Sequence, residues 1–326
     1  MKVKITQASG ILGVDIAKAK FDVCLRLVDQ PSQWRTFSNS QAGFSALVEW
    51  LRAQGLDSVA VGMEATGPYW VELACHLHQE KFAVYLLNPA YVKAHGQSRG
   101  SRTKTDRTDA GLIADYLATH SCETWEPLPA EQEQLRELMR LYADVTALAV
   151  SAGQRGEGLR THPAQELQAQ LAQSLEEFAQ RVLARASQHA QQHQSLKEPL
   201  ERLDSVPGIG EITALVLVAE LPRARAARTL AGWAGLTPGQ FESGSSVHKR
   251  PKMCKQGSDY VRHSLYWPAI TALRCCPAMQ IFGRRLEAKG LNKMQVIGGA
   301  MHKLLRWAAG VINSREMFDL SRHMPA

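Results

Sequence analysis

The chain has 326 residues, 45% of them hydrophobic, so it can bury a sizeable core and is expected to form two or three domains. Its apolar runs are too short for a membrane span, and its N-terminus lacks the apolar core of a signal peptide. Six scattered cysteines without a Cys-x-x-Cys pair argue against a zinc site or a disulfide framework and indicate a reducing cytoplasm. The net charge of +7 comes from residues 201–326, which hold 18 lysines and arginines against 9 acidic residues. That half is the better candidate for binding nucleic acid, although a generic basic surface is the alternative.

The first part of the chain is predicted to be an α/β domain. Three short strands with turns between them, at residues 11–17, 21–28 and 34–38, form an antiparallel meander. Alternating helices and strands follow, at 40–54 (helix), 58–63 (strand), 69–79 (helix), 82–87 (strand) and about 106–119 (helix). This order is that of a ribonuclease-H-like α/β domain, although a doubly wound sheet would also begin with a strand such as 11–17.

Four carboxylates in this part stand out by their positions. Asp15 lies within the first apolar strand, Glu64 ends a second apolar run, and Asp106 and Asp109 lie three residues apart in the last helix. A carboxylate in or at the end of a buried strand is costly unless something compensates its charge, and acids three apart share a helix face. Because Mg²⁺ prefers oxygen ligands, we predict that these residues bind Mg²⁺ or Mn²⁺ for chemistry on phosphate. The flanking cations are predicted to contact phosphates: Arg99, Arg102, Lys104 and Arg107.

Residues 130–200 differ in composition and predict two long amphipathic helices. About a dozen glutamines accompany two apolar stripes, from Leu135 to Leu148 and from Leu167 to Val182, with a break around 153–163. We interpret this region as a coiled-coil arm used for self-association; the alternative is a helical subdomain packed within its own chain. His189 and His193 share a helical face and are expected on a solvated surface rather than at a metal.

From about residue 203 the chain is basic and rich in glycine and proline. Ser205-Val-Pro-Gly-Ile-Gly-Glu211 has the form of a helix-hairpin-helix, in which Gly208 and Gly210 would offer backbone amides to phosphate; an ordinary helix-start turn is the alternative. The segment Phe241-Glu-Ser-Gly-Ser-Ser-Val-His-Lys-Arg250 carries three serines and, taken alone, predicts a flexible phosphate-binding loop. Four cations in and after it are predicted to contact nucleic acid: Lys249, Arg250, Lys252 and Lys255.

Together these motifs resemble the DEDD transposases of bacterial insertion sequences, the IS-one-ten type, over essentially the whole chain. The N-terminal motifs are Gly13-Val-Asp-Ile-Ala-Lys18, Glu64-Ala-Thr-Gly67, Asn88-Pro89 and Lys104-Thr-Asp-Arg-Thr-Asp-Ala110. The C-terminal motifs are Ser205-Val-Pro-Gly-Ile-Gly210, Ala234-Gly-Leu-Thr-Pro238 and Glu242-Ser-Gly-Ser-Ser246. Each motif alone is weak, whereas the set is specific. One departure is Cys254, which stands where members of the family often have serine.

The resemblance implies a RuvC-like nuclease domain over 1–155, a coiled-coil arm over 156–202 and a mainly helical transposase domain over 203–326. It also implies a serine nucleophile, by position Ser243, that works beside the metal-bound acids. The catalytic residues would then be Asp15, Glu64, Asp106, Asp109 and Ser243. The expected partners are donor and target DNA, an element-encoded guide RNA and further copies of the chain, as a dimer or tetramer. The expected location is the bacterial cytoplasm, at the nucleoid.

Two other functions stay open on the sequence. A RuvC-like structure-specific endonuclease would hydrolyse branched DNA with water, and it would have no use for Ser243. A non-catalytic nucleic-acid-binding protein would use the helix-hairpin-helix and the basic half, and it would have no use for Asp15 or Glu64.

Overall fold

The computed structural model describes residues 9–65, 67–100, 106–222, 227–243 and 247–324. The chain divides into two compact units, residues 1–127 and 128–326. The elements of the first unit are β1 (Gly10–Ile16), β2 (Lys20–Arg26), β3 (Gln33–Ser38), α1 (Gln41–Arg52), β4 (Val59–Glu64), α2 (Val71–Gln79), β5 (Ala83–Leu87), α3 (Pro89–Ser98) and α4 (Asp106–Thr119). The predicted meander and the alternating elements after it are confirmed, and α3 is an additional helix that the sequence analysis missed.

The five strands of this unit form one mixed sheet in the order β3-β2-β1-β4-β5. The pairs β1–β2 and β2–β3 are antiparallel, whereas β1–β4 and β4–β5 are parallel. The doubly wound, all-parallel alternative is therefore wrong for this unit.

The sheet has a helical layer on each face. On one face Leu12 and Val14 of β1 pack in a cluster with apolar residues of α1 and α2. On the other face Ile11 packs in a cluster with Ile113 and Leu117 of α4. Because side chains of a strand alternate between faces, Gly13 and Asp15 lie on the α4 face with Ile11.

The second unit is mainly helical. Its elements are α5 (Ala130–Glu157), α6 (His162–Gln192), α7 (Gln194–Asp204), α8 (Glu211–Glu220), α9 (Ala227–Trp233), β6 (Pro238–Ser243), β7 (Val247–Met253), α10 (Asp259–Ser264), α11 (Tyr266–Cys275), α12 (Pro277–Ala288) and α13 (Lys293–Ser314), followed by a 3₁₀ turn (Leu320–His323). Strands β6 and β7 pair as an antiparallel hairpin. No helix in the described ranges is long and apolar enough to cross a membrane.

The two predicted long helices are confirmed as α5 and α6, which pack against each other as an antiparallel pair. Near the turn, Gln168 Nε2 donates to Ala152 O at 3.0 Å, and at the far end His189 Nε2 lies 2.8 Å from Glu131 O. The expected solvated position of His189 is wrong, because its ring is 6% exposed and bonded to that carbonyl. A hydrogen-bonded imidazole can be buried at little cost, which helical spacing alone does not reveal.

Candidate active site

Asp15 and Glu64 lie at the carboxyl ends of two neighbouring parallel strands. Val14 of β1 is paired with Met63 of β4, so the next residues along both strands are the two acids. Both side chains are half-buried. The register therefore places the two carboxylates on adjacent strands, as the sequence predicts.

Glycines make room for α4 on the face that carries both acids. A Cβ on Gly13 would lie 2.1 Å from Ala110 O and 2.5 Å from Ala114 N, so no side chain fits there. A Cβ on Gly62 would lie 3.1 Å from Leu117 Cδ2. In both strands the glycine precedes the acid by two positions and so shares its face. The repeated Gly-x-acid pattern is a sequence signal for this packing.

Helix α4 runs so that its first turn points toward the acid end of β1. Its later residues Ile113 and Leu117 cluster with Ile11, whereas Ala110 lies against Gly13, nearer to Asp15. Asp106 begins the helix and Asp109 lies one turn inside it. The Asp109 side chain is half-buried, and that of Asp106 lies outside the described part of the chain.

The donor set consists of carboxylates, which are the ligands that Mg²⁺ and Mn²⁺ prefer. Within the described side chains, no three His, Cys, Asp or Glu residues come close enough to hold a metal ion. That set leaves out Asp106. The donor chemistry and the placement of β1, β4 and α4 fit a divalent ion, and Asp106 stays the fourth predicted ligand beside Asp15, Glu64 and Asp109.

One acid outside the predicted ligand set lies next to this site. Asp22 of β2 is the direct partner of Asp15 across the antiparallel pair, so the two side chains share a face. Asp22 accepts a hydrogen bond from Lys20 Nζ at 3.0 Å and another from the Thr36 hydroxyl. These donors offset the repulsion between like charges on paired strands. Only the strand register could have revealed this residue.

The structure describes only some of the cations that are predicted to flank the acids. Arg99 follows α3 and forms an ion pair with Asp115, while its side chain stays 55% exposed. Arg107 lies in the first turn of α4, with its side chain outside the described part. Arg102 and Lys104 lie outside the described residues.

Ser243 is the last residue of β6. It is paired with Val247 of β7, and Glu242 is paired with His248. The segment expected as a flexible loop is therefore mostly a β-hairpin, and that expectation is wrong. Lys249 and Arg250 lie in β7, and Lys252 near its end is exposed. The side chain of Ser243, the whole of Ser245 and Ser246, and the side chains of Lys249 and Arg250 lie outside the described part.

The base of this hairpin is tied to the segment that precedes it. Cys254 N donates to Thr237 O at 2.9 Å, and Lys255 N donates to Gly235 O at 3.1 Å. Arg262 Nη1 donates to the carbonyls of Ala234 and Lys255, both at 3.2 Å. The cation Lys255 is exposed and has a positive φ of 56°. These contacts fix the base of the hairpin whose first strand ends at Ser243.

The predicted helix-hairpin-helix corresponds to α7, a turn and α8. Gly208 in the turn has a φ of +92°, and a Cβ there would lie 2.7 Å from Pro268 O. Gly208 is thus required for packing on α11. Gly210 is exposed at the start of α8, with open space where a side chain would be. Of the two glycines, Gly210 has the more accessible backbone.

Two family profiles match this chain. Residues 12–159 match a family described as "Transposase", and residues 200–283 match the "Transposase IS116/IS110/IS902 family". The pilin gene-inverting protein of Moraxella bovis is 32% identical to the chain over 321 residues, which cover 96% of this chain and 98% of the relative. The chain belongs to this family of transposases.

Other relatives agree with the assignment. The pilin gene-inverting protein of Moraxella lacunata is also 32% identical, over the same share of both chains. A probable family 20 transposase of Pseudomonas aeruginosa is 28% identical over 251 residues, which cover 66% of this chain and 72% of the relative. The first matched region of the transposase contains Asp15, Glu64, Asp106 and Asp109, and the second contains Ser243.

Proposed function

We propose that this transposase is a DNA recombinase that excises and inserts its own insertion sequence. The observation that carries the proposal is the placement of Asp15 beside Glu64, on the sheet face against which the helix of Asp106 and Asp109 packs. The relatives named for gene inversion support it, since inverting a gene requires strands to be both cut and rejoined. The order and pairing of the five strands support a ribonuclease-H-like, RuvC-like fold for this unit.

In this proposal Asp15, Glu64, Asp106 and Asp109 hold Mg²⁺ or Mn²⁺. The bound ion supplies Lewis-acid stabilisation of charge on the phosphate oxygens. The chain's own part is to fix the carboxylates: two on rigid neighbouring strands, two on a helix that glycines allow close to those strands. Carboxylates held on strands and helices keep their geometry better than carboxylates on loops.

Ser243 is the proposed nucleophile. Its Oγ forms a bond to phosphorus, the phosphodiester bond to one deoxyribose oxygen breaks, and that oxygen takes up a proton. The phosphoserine retains the bond energy, so a deoxyribose hydroxyl can later attack it and release the serine without ATP. Water in the same role would lose that energy.

Three further parts of the proposal rest on the family resemblance. An element-encoded RNA supplies sequence choice for donor and target DNA, the chain acts as a dimer or tetramer, and residues 1–155, 156–202 and 203–326 serve as nuclease domain, arm and transposase domain. Sequence-selective DNA binding should then require the RNA. Selective binding by RNA-free protein, measured by competition between labelled duplexes, would contradict this part.

The test of the nucleophile compares three single variants: Ser243→Ala, Ser245→Ala and Ser246→Ala. Ser243→Ala should keep DNA and RNA binding but lose the covalent protein–DNA adduct on denaturing gels and all recombination. The other two variants are the matched controls, and their effects on the adduct and on recombination should be milder. Peptide mapping of the wild-type adduct should identify Ser243 as the attached residue.

Other outcomes separate the alternatives. Loss of the adduct only in Ser245→Ala or Ser246→Ala would move the nucleophile within the cluster. Recombination by all three variants would remove the serine mechanism. Metal-dependent cleavage of branched DNA without any adduct would then favour the water-using endonuclease, and binding without cleavage would favour the non-catalytic protein.

A further inference from the structure

Asp115 of α4 contacts three basic side chains of the first unit. Its carboxylate accepts from Arg26 Nη1 at 2.5 Å, from the Arg99 guanidinium, and from His95 Nε2 at 3.0 Å. Arg26 is the last residue of β2, His95 lies in α3, and Arg99 follows α3. The Asp115 side chain is only 14% exposed. It contacts both guanidinium groups from the protein side, while their other sides face solvent.

The charges at this cluster do not cancel. Burial, and next the Arg99 guanidinium, lower the pKa of His95, which disfavours a charge on its imidazole. Among the ion pairs of the described residues, two arginines contact one carboxylate, which gives an excess of positive charge. The side chains of Arg26 and Arg99 are 41% and 55% exposed, so each keeps N–H donors available to an anion.

Aromatic rings adjoin His95, the histidine bonded to Asp115. Tyr116 and His120 stack with centroids 4.1 Å apart and planes at 6°, and the His95 ring meets both edge-on. Tyr91 and His95 are four residues apart on α3, and Arg99 caps its C-terminus four residues later, so the three lie on one side of the helix. The Tyr91 side chain is 55% exposed. Cations that track a backbone, interleaved with rings, are the features of surfaces that bind unpaired nucleic acid.

We propose that this surface, formed by Arg26, Tyr91, Arg99, Tyr116 and His120, binds an unpaired strand of nucleic acid. Arg26 and Arg99 contact its phosphates, Tyr91 stacks on a base, and Asp115 is the positioning residue that aligns the two guanidinium groups. The inference rests on the proposed function only in that the transposase acts on nucleic acid. The surface is separate from the acids: Asp115 lies six residues after Asp109, about 9 Å along the helix axis.

The test measures binding of a fluorescent oligothymidylate to the full-length protein by anisotropy, in chelator so that no strand is cut. Arg26→Gln should make the dependence of log affinity on log salt shallower by about 0.7, the value for one phosphate contact to a single strand. Tyr91→Ala should weaken binding roughly 5-fold or more. Asp115→Asn should weaken binding of the oligothymidylate and should also make the dependence of its affinity on salt shallower.

Arg52→Gln is the matched control, because Arg52 is also an arginine of the first unit, 53% exposed and paired with one acid, Glu80. It should bind as wild type. Arg26→Lys keeps a cation beside Asp115 and should recover most of the affinity that Arg26→Gln loses. Thermal unfolding of each variant separates loss of binding from loss of fold.

The inference is overturned if Arg26→Gln and Tyr91→Ala bind like Arg52→Gln, or if both lose affinity equally for a blunt duplex and for the oligothymidylate. Because cutting is absent from this assay, the result is independent of the serine mechanism. A protein that forms no adduct through Ser243 could still bind the oligothymidylate through this surface, and a protein that forms the adduct could fail to bind it there.

Discussion

At the scale of one residue, the candidate site depends on Gly13, because α4 packs where any larger residue would place its Cβ. We predict that Gly13→Ala lowers the free energy of unfolding by about 1–3 kcal/mol or more, because its Cβ would meet the α4 backbone at 2.1 Å. Urea denaturation of the full chain would measure this. Gly111→Ala in α4 is the matched control, since its Cβ would lie at an ordinary 3.9 Å from Cys24 Sγ. That variant should be as stable as wild type or more so. Equal stability of the two variants would contradict the packing argument.

The carboxylates give a second prediction at this scale. Asp15→Ala or Glu64→Ala should abolish strand cleavage with Mg²⁺ while leaving the circular dichroism spectrum close to that of wild type, because each removes a metal ligand and leaves the strands in place. Asp57→Ala, at an exposed acid of the same unit, is the control and should cleave normally. Full cleavage by Asp15→Ala in chelator would show that the metal assignment is wrong.

At the scale of the elements, the α5–α6 pair leaves apolar side chains uncovered along its middle and toward its turn. Leu135 and Val182 are buried at the base of the pair, whereas Leu148, Leu167 and Leu171 are 58%, 67% and 50% exposed. Exposed apolar patches on a helical pair are typical of association surfaces. They support the proposed self-association. The proposed serine mechanism also calls for it, because joining two duplexes takes at least four cuts and each chain carries one Ser243.

We predict that the double variant Leu171→Asp with Leu175→Asp lowers the oligomeric order, because it places two charges in the apolar stripe. Sedimentation velocity of the full-length protein would measure it. The double variant Gln170→Asp with Ser174→Asp adds the same charges at neighbouring exposed positions of α6 and should keep the wild-type order. A wild-type protein that is monomeric and still performs complete recombination would refute the association.

The elements that the sequence predicted are those with a clear apolar period, such as α1, α4 and the strands of the sheet. Helix α3 was missed because its apolar residues are few, yet Asn88 caps it by accepting from Ala90 N, and Pro89 occupies its first turn. An Asn-Pro pair is a helix-start signal that could have found it. The β6–β7 hairpin was missed because its strands lack the alternation of apolar and polar residues.

At the scale of the whole molecule, the uneven charge makes a prediction about salt. The affinity for duplex DNA should fall by about 10³-fold or more between roughly 50 and 200 mM salt, because several phosphate contacts release counterions. The double variant Lys252→Gln with Lys255→Gln should make the slope shallower by about 0.9 for each phosphate that is no longer neutralised. The same change at Lys289 and Lys293, two exposed lysines of the same unit, is the control. An unchanged slope in the first variant would exclude a role for those two lysines at phosphates.

The sequence predicted which acids belong to the candidate site, but it did not predict which side chains lie next to them in space. Asp15 and Glu64 are recognisable as acids in apolar runs. Asp22 becomes a neighbour of Asp15 only through the antiparallel register, and Asp115 meets Arg26 only because α4 crosses β2. Contacts between elements far apart in the chain depend on packing that local periodicity does not encode.

Helix α4 carries Asp106 and Asp109 at its first turn and Asp115 beyond its middle. A helix of this length is a rigid rod, with a fixed rise of about 1.5 Å and a turn of about 100° for each residue. With the proposed strand surface near Asp115 and the proposed metal site at Asp106 and Asp109, the fold would fix the distance between the place where a strand is held and the place where it is cut. The helix would then set the spacing between the held base and the scissile bond, and adding one residue between Asp109 and Asp115 would shift that spacing by about 1.5 Å and turn Asp115 by about 100° relative to Asp109.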